Sequence, residues 1–406
     1  MKPLKNYVNA LVVIAALGYF VDIYDLILFS IVRVPSLKSL GLTGSELFDS
    51  GIFLLNTQMA GMLVGGLLWG ILGDKRGRVS VLFGSILMYS VANIANGFVH
   101  SVEMYALLRF VAGVGLAGEL GAGITLVAET LPKETRGWGT MIIGGVGISG
   151  AILAGIIAEH FDWRTCYFIG GGLGLLLLLL RAGAYESGMF KSTTEKSVAR
   201  GQFFQLFASK ERFLRYLRCI LIGMPTWYVI GILVTFSPEL GAALGVPGVI
   251  VAGRSVMMAY AGLVVGDIIS GVLSQYLRSR KKVIGAFLAA TVGGVAGYFL
   301  FPYHSVAQFY WACFALGISV GYWALFVTVA AEQFGTNLRA TVATTAPNFI
   351  RASLIPLIIL FGYLKIWMGP IHSAMVVGAI SIGIAAVALA PMKDTFDTDL
   401  DYLEGD

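Results

Sequence analysis

Long apolar runs alternate with short polar connections along nearly the whole chain. They fall at about 8–32, 50–72, 79–99, 103–129, 138–159, 164–182, 215–240, 251–277, 283–301, 305–332, 340–364 and 369–391. A helix needs about 20 apolar residues to cross a bilayer, so each run predicts one crossing, and twelve crossings leave both termini on one side. Barrel strands are shorter and alternate strictly between polar and apolar residues. The pattern therefore predicts an all-α polytopic membrane protein with twelve transmembrane helices. One connection, 183–214, is longer and more polar than the rest. It divides the chain into a six-helix bundle at 1–182, a cytoplasmic linker, and a second six-helix bundle at 215–393, followed by an acidic cytoplasmic tail at 394–406. Within the linker, Phe203, Phe204, Leu206 and Phe207 precede Lys210 and Arg212 and predict a short interfacial helix with its rings toward lipid.

Composition supports the pattern: of 406 residues, 57% are hydrophobic and 13% charged, and the mean hydropathy is +0.82. Soluble domains carry about 25% charged residues. The net charge of +5 matters less than its placement. With the N-terminus inside, roughly 21 basic residues, including a cluster from Arg181 to Arg218, fall on the cytoplasmic side against about 5 outside. Both termini are thus expected in the cytoplasm. Cys166, Cys219 and Cys313 lie scattered in apolar runs and read as small core residues. Lys2 and Lys5 before an apolar run resemble a secretory signal, but that run carries Asp22 and Asp25 and further spans follow it. It reads as a retained first helix.

An internal repeat relates the two halves. Gly61, Gly65, Gly70 and Leu72 recur as Gly262, Gly266, Gly271 and Leu273, each set followed by a basic loop. Gly118, Glu129 and Arg136 recur as Gly321, Glu332 and Arg339. A duplicated bundle with a pseudo-symmetric seam is the architecture of alternating access, with substrate held near the midplane.

The loop Gly70-Ile-Leu-Gly-Asp74-Lys75-Arg76-Gly77-Arg78 resembles the cytoplasmic signature of the major facilitator superfamily, and the resemblance extends over the whole chain. It implies a gating role for Gly70, Asp74 and Arg78, and for Glu129, Arg136, Glu332 and Arg339 in the matching loops. The second copy has Gln275 where the first has Asp74, which implies a weaker second gate. Span 4, from Arg109 through Gly118-Glu119 to Arg136-Gly137, is similar to proton-coupled metabolite symporters and to niacin and organic-ion carriers. Asp22-Ile-Tyr24-Asp25 in span 1 resembles the paired aspartates of phosphate and aromatic-acid proton symporters. Two Gly-x-Gly-x-x-Gly runs, starting at Gly113 and Gly145, lie outside any βαβ unit and read as helix-packing glycines rather than dinucleotide sites. Span 5 lacks the glycine-proline signature of drug/proton antiporters.

Charges inside the membrane cost about 2.5–3.5 kcal/mol on insertion scales and mark function by default. At about 1.5 Å per residue, Asp25 and Asp22 lie roughly 10 and 15 Å from the outer face, and Arg109 roughly 9 Å from it. Asp22 and Asp25 share a helix face. Burial raises a carboxyl pKa and a nearby cation lowers it, so an aspartate meeting Arg109 in only one state would load and release a proton. Asp22, Asp25, Arg109 and Glu119 are the expected coupling residues. The competing structural reading of each is a fixed buried pair or an interhelical hydrogen bond. Asp267 replaces Gly66 of the first repeat and is expected at a gate near span 11. Arg351, roughly 16 Å into span 11, is the expected anchor for a substrate anion, because guanidinium stays charged and fits a carboxylate. Tyr24, Gln58, Trp227, Tyr228, Tyr322, Trp323 and Asn348 lie at comparable depth and are the candidate cavity lining.

The sequence thus predicts a proton-coupled symporter importing a small organic anion across a bacterial inner membrane. It is expected to be monomeric, with lipid and a small-molecule substrate as partners and neither nucleic acid, metal nor cofactor. Export of a drug-like or siderophore-like molecule is the alternative transport reading, and a non-transporting receptor the alternative outside transport. With four His and no Ser or Cys beside a plausible base, an enzyme is not expected.

Overall fold

The computed structural model describes residues 10–76, 78–119, 143–186 and 203–396. Helices α1 (Ala10–Ser39), α2 (Gly44–Arg76), α3 (Arg78–Asn96), α4 (Val102–Leu116), α5 (Gly150–His160) and α6 (Trp163–Glu186) form the first half. A 3-10 turn (Phe203–Phe207) leads into α7 (Lys210–Tyr228). The second half continues with α8 (Ser237–Ala243), α9 (Ala252–Leu277), α10 (Arg280–Leu300), α11 (Val306–Ser319), α12 (Trp323–Glu332), α13 (Thr336–Ala352) and α14 (Leu354–Leu389). Backbone polar groups in hydrocarbon must be satisfied within their own helix, which is why nearly every apolar run becomes one.

Helix boundaries depart from the hydropathy runs where the backbone is broken. Span 7 joins α7, which holds Pro225, to a π-helical turn at Val229–Val234. Span 10 is split into α11 and α12 around Val320–Tyr322. The apolar stretch Thr341–Leu389 contains two crossings, because Gly369, at φ 75°, and Pro370 turn it back. The expected interfacial helix is only the 3-10 turn. Phe203 and Leu206 are buried, with Phe203 facing Phe349 at 6.1 Å, and only Phe204 and Phe207 point outward.

The repeat is a repeat of contacts. A Cβ on Gly61 of α2 would strike the carbonyl oxygen of Phe110 on α4, and one on Gly262 of α9 would strike that of Phe314 on α11. Gly65 and Gly266 stand in the same relation to Val114 and Ile318, and Gly113 and Gly317 face back on Gln58 and Ala259. Each half is therefore pinned by one tight helix pair, α2 with α4 and α9 with α11, in which absent side chains let backbones touch.

The halves meet along α1, α2 and α5 on one side and α9, α13 and α14 on the other. At the end away from the termini the seam is sealed. Arg33 of α1 donates to both carboxylate oxygens of Glu239 on α8, at 2.6 and 2.8 Å, and lies 4.3 Å over the Phe236 ring. Phe48 packs on Phe236 and Phe361, and Arg254 pairs with Glu159 at 2.6 Å. Also at that end, Asp162 caps α6 by accepting from the Thr165 hydroxyl and from the backbone of Arg164 and Thr165. The Thr165 hydroxyl is the largest cause holding this carboxyl below its usual range.

Gly61→Ala or Gly262→Ala should destabilise the protein by about 1–3 kcal/mol through overpacking, read as a lower melting temperature in detergent. Gly271→Ala, whose Cβ would meet nothing within 4 Å, should leave it unchanged.

Candidate functional site

Helix α1 organises the buried charge of the first half. Gly18, Asp22 and Asp25 fall at i, i+4 and i+7 on one face, and each marks a different ionic site.

The central site crosses the seam. The Asp22 carboxylate lies 3.8 Å from Arg351 of α13, and both side chains are buried, at 0% and 1% exposure. No hydrogen bond joins them: both Asp22 oxygens and the Arg351 Nε and Nη2 are unpartnered. Arg351 is tethered only through Nη1, which donates to Asn348 Oδ1 at 3.3 Å. Asn348 in turn donates to the carbonyl of Ala117, in the first half, at 2.9 Å. At an effective dielectric of about 20, opposite charges near 4 Å attract by about 4 kcal/mol, while dehydrating each ion costs several kcal/mol. Without hydrogen bonds to add to the attraction, this pair is loosely held.

Aromatic rings wall the same region. The Trp323 indole donates to the Tyr19 hydroxyl across the seam at 3.2 Å. Trp227 meets Trp323 edge-on at 6.4 Å and its indole nitrogen is unpartnered. Tyr19 and Tyr260 both lie in the field of Arg351.

The second site holds Asp25 and Arg109. No ion pair forms within 4.0 Å, although Arg109 is the cation acting on Asp25. All three Arg109 nitrogens are unpartnered, and its guanidinium lies 5.4 Å from the Phe29 ring centre and 5.8 Å from that of Tyr167. The depths read from sequence bring the two residues near each other, but they do not form the expected contact.

Glu119 occupies the third site, where it is held by Arg181 of α6. Arg181 Nη1 donates to Oε2 at 3.0 Å and Nη2 to Oε1. This corrects the assignment of Arg181 to the cytoplasmic basic cluster: it is 2% exposed. Its position inside the apolar run 164–182 was the available signal. A Cβ on Gly18 would collide with both partners, so this glycine gives the pair its room against α1.

Four expected cavity residues spend a polar group on a carbonyl of their own half. Tyr24 donates to the Cys166 carbonyl at 3.0 Å and Gln58 to that of Leu26 at 3.1 Å. Tyr228 donates to Ala374 at 2.8 Å and Tyr322 to Ile222 at 2.9 Å. A buried hydroxyl takes the nearest carbonyl, and depth along a span does not say which way it faces. Trp227, Trp323 and Asn348 do lie by the seam with Arg351.

Among the expected gate residues, Gly70 faces Thr345 of α13, 3.8 Å from a Cβ placed on it. Glu332 is bound by Arg280 of its own half at 2.6 and 2.8 Å. Asp267 is not set against span 11: its Oδ1 accepts from the backbone N of Ala324 at 3.1 Å and caps the start of α12. Glu129 and Arg136 lie outside the described residues, as do the side chains of Asp74, Arg78 and Arg339. Sequence reasoning missed the Arg33–Glu239 and Arg254–Glu159 closures, because both arginines lie near the ends of their spans and read as topology markers. Among the described residues no three His, Cys, Asp or Glu come together to hold a metal.

The profile described as "Major Facilitator Superfamily" matches residues 15–353. A gentisate transporter of Corynebacterium glutamicum is 26% identical over 395 residues, covering 91% of this chain and 84% of that protein. A niacin transporter of Acinetobacter baylyi is 24% identical, covering 97% and 95%. The crystal structure of a D-xylose-proton symporter superimposes with a TM-score of 0.70 at 16% identity, over 96% of this chain and 99% of that one.

Arg181→Met alone should destabilise the protein by about 3–5 kcal/mol, since it strands a buried carboxylate. Adding Glu119→Gln should restore most of the loss in a double-mutant cycle of thermal melts.

Proposed function

Because the chain belongs to the Major Facilitator Superfamily, a family of membrane transporters and not of enzymes, we propose that it imports a small organic anion together with a proton by alternating access. A carboxylate on an aromatic ring is the preferred cargo. The observation that carries the reading is the buried Asp22–Arg351 contact across the seam.

The chemistry follows from competition for one guanidinium. Asp22 is a built-in carboxylate that holds Arg351 when no substrate does. A proton on an Asp22 oxygen removes that rival charge and frees Arg351 to take the substrate carboxylate, for which its planar fork is shaped. Proton and anion therefore favour each other's binding, and by linkage the coupling is reciprocal. When the proton leaves, Asp22 returns to Arg351 and expels the anion. Charged Asp22 with bound anion and neutral Asp22 without anion both leave an unbalanced charge in a low-dielectric interior, so slippage is disfavoured. Asp25 and Arg109 form a second carboxylate–guanidinium station on the same helix face and hold a proton in reserve for Asp22. Glu119, locked on Arg181, fixes helix packing and moves no proton.

Gentisate and niacin, for which the two relatives are named, are carboxylates on aromatic rings. Tyr19, Trp227 and Trp323 beside Arg351 offer ring faces to such a body. The placement of basic residues along the sequence supports cytoplasmic termini and orientation in a bacterial inner membrane, with the monomer as the working unit.

Arg351→Ala should weaken nicotinate or benzoate binding by about 100-fold, the worth of a charge-assisted contact, measured by ligand-induced thermal shift. Wild-type binding should fall as pH rises and Asp22 ionises, whereas Asp22→Asn should bind with a flat pH profile and lose uptake driven by a pH gradient. If Asp22→Asn folds and its uptake still follows that gradient, the coupling assignment is wrong.

A further inference from the structure

Helix α9 presents one stripe to the seam. Gly253, Tyr260 and Asp267 recur every seven residues, two helical turns apart, and so lie nearly in line. Gly253 faces Ile31 of α1, 3.1 Å from a Cβ placed on it, and Tyr260 lies in the field of Tyr19 and Arg351. Asp267 is the next position down the stripe, and Tyr19 lies in its field as well as in that of Arg351. The repeat gives the same placement. Its counterpart, Gly66, faces the seam, where a Cβ would stand 3.1 Å from Asn348 of the opposite half.

The Asp267 carboxylate is divided in use. Oδ1 accepts from Ala324 at the start of α12, and the backbone N–H of Trp323, whose indole bonds Tyr19, also acts on the carboxylate. Oδ2 is shielded from solvent and unpartnered. Among the described residues no Lys or Arg pairs with Asp267. A helix cap needs only one oxygen, and a neutral Asn or Ser caps as well. An unpaired carboxylate oxygen held at the seam is an acceptor that the fold itself does not require.

We propose that Asp267 Oδ2 is the acceptor pole of the substrate site, opposite the guanidinium of Arg351, so that the carrier selects aromatic carboxylates bearing a hydroxyl or other hydrogen-bond donor on the ring. This rests on the anion reading of Arg351 given above. The substrate carboxylate sits on Arg351, its ring lies along Tyr19, Tyr260 and Trp323, and its donor reaches Oδ2. Acid alone gives binding, and the second pole gives selection. A site built to hydrogen-bond one substrate group discriminates against analogues lacking it, because its own buried polar atom is then left unpaired.

The test compares benzoate with 2-, 3- and 4-hydroxybenzoate on the purified full-length protein, reading Kd from ligand-dependent melting. The best hydroxy isomer should bind about tenfold tighter than benzoate to the wild type, the scale of one hydrogen bond to a charged group. In Asp267→Asn, which keeps the cap, that ratio should fall to about one. Asp267→Ser, a second capping residue, should give the same result and serves where the Asn variant does not fold. The proposal is overturned if no isomer is preferred, or if the preference survives in a folded capping variant. In either case benzoate binding that depends on Arg351 leaves the anion reading standing. If none of the four acids binds the wild type, both readings fall.

Discussion

Asp22 and Arg351 face each other at 3.8 Å across the boundary between two bundles, buried and without a hydrogen bond between them. Taking two ions out of water costs more than such an unassisted contact returns, so something other than stability accounts for keeping them there. The contact also joins the two halves that, under the proposed alternating access, move relative to each other. In the proposed cycle, rocking of the halves changes the distance between these charges, and protonation or ligation of either biases which arrangement is preferred. The other contacts across the seam surround this pair and gain their meaning from it.

Two kinds of rigidity make the central pair effective. Within each half, glycines bring α2 onto α4 and α9 onto α11 until a Cβ would strike backbone oxygen, so these pairs are tightly interlocked. The Glu119–Arg181 pair, accommodated by Gly18, locks α6 to span 4 in the first half. The seam, by contrast, is closed by ionic and aromatic contacts: Arg33 with Glu239, Arg254 with Glu159, Phe48 between Phe236 and Phe361. Arg254–Glu159 is exposed and exchanges for hydration at small net cost, whereas interdigitated backbones do not.

Much of this was legible before the structure. The hydropathy runs gave the crossings, the glycine repeat pointed to the pseudo-symmetric pairs, and Asp22, Asp25, Arg109, Glu119 and Arg351 stood out because charge is rare in apolar runs. What failed is equally informative. Sequence position puts Arg181 in the cytoplasmic basic cluster, whereas it is buried on Glu119, and depth alone does not show that the hydroxyls of Tyr24, Tyr228 and Tyr322 bond carbonyls of their own half. In each case the sequence supplied position along a helix axis, and the error lay in rotation about it.

The sequence by itself determined that the chain spans a membrane, that it does so as two related halves, and which ionisable residues lie within the apolar spans. These follow from one-dimensional quantities: length, polarity and repeat spacing, each fixed by the thickness and dielectric of the bilayer. Only the tertiary structure decided the partners. It gave Asp22 to Arg351 rather than to Arg109, Glu119 to Arg181, and Asp267 to the start of α12 rather than to span 11. Pairing depends on how each helix is turned against its neighbours, and that rotation is set by close packing of many small residues at once, which no local pattern records.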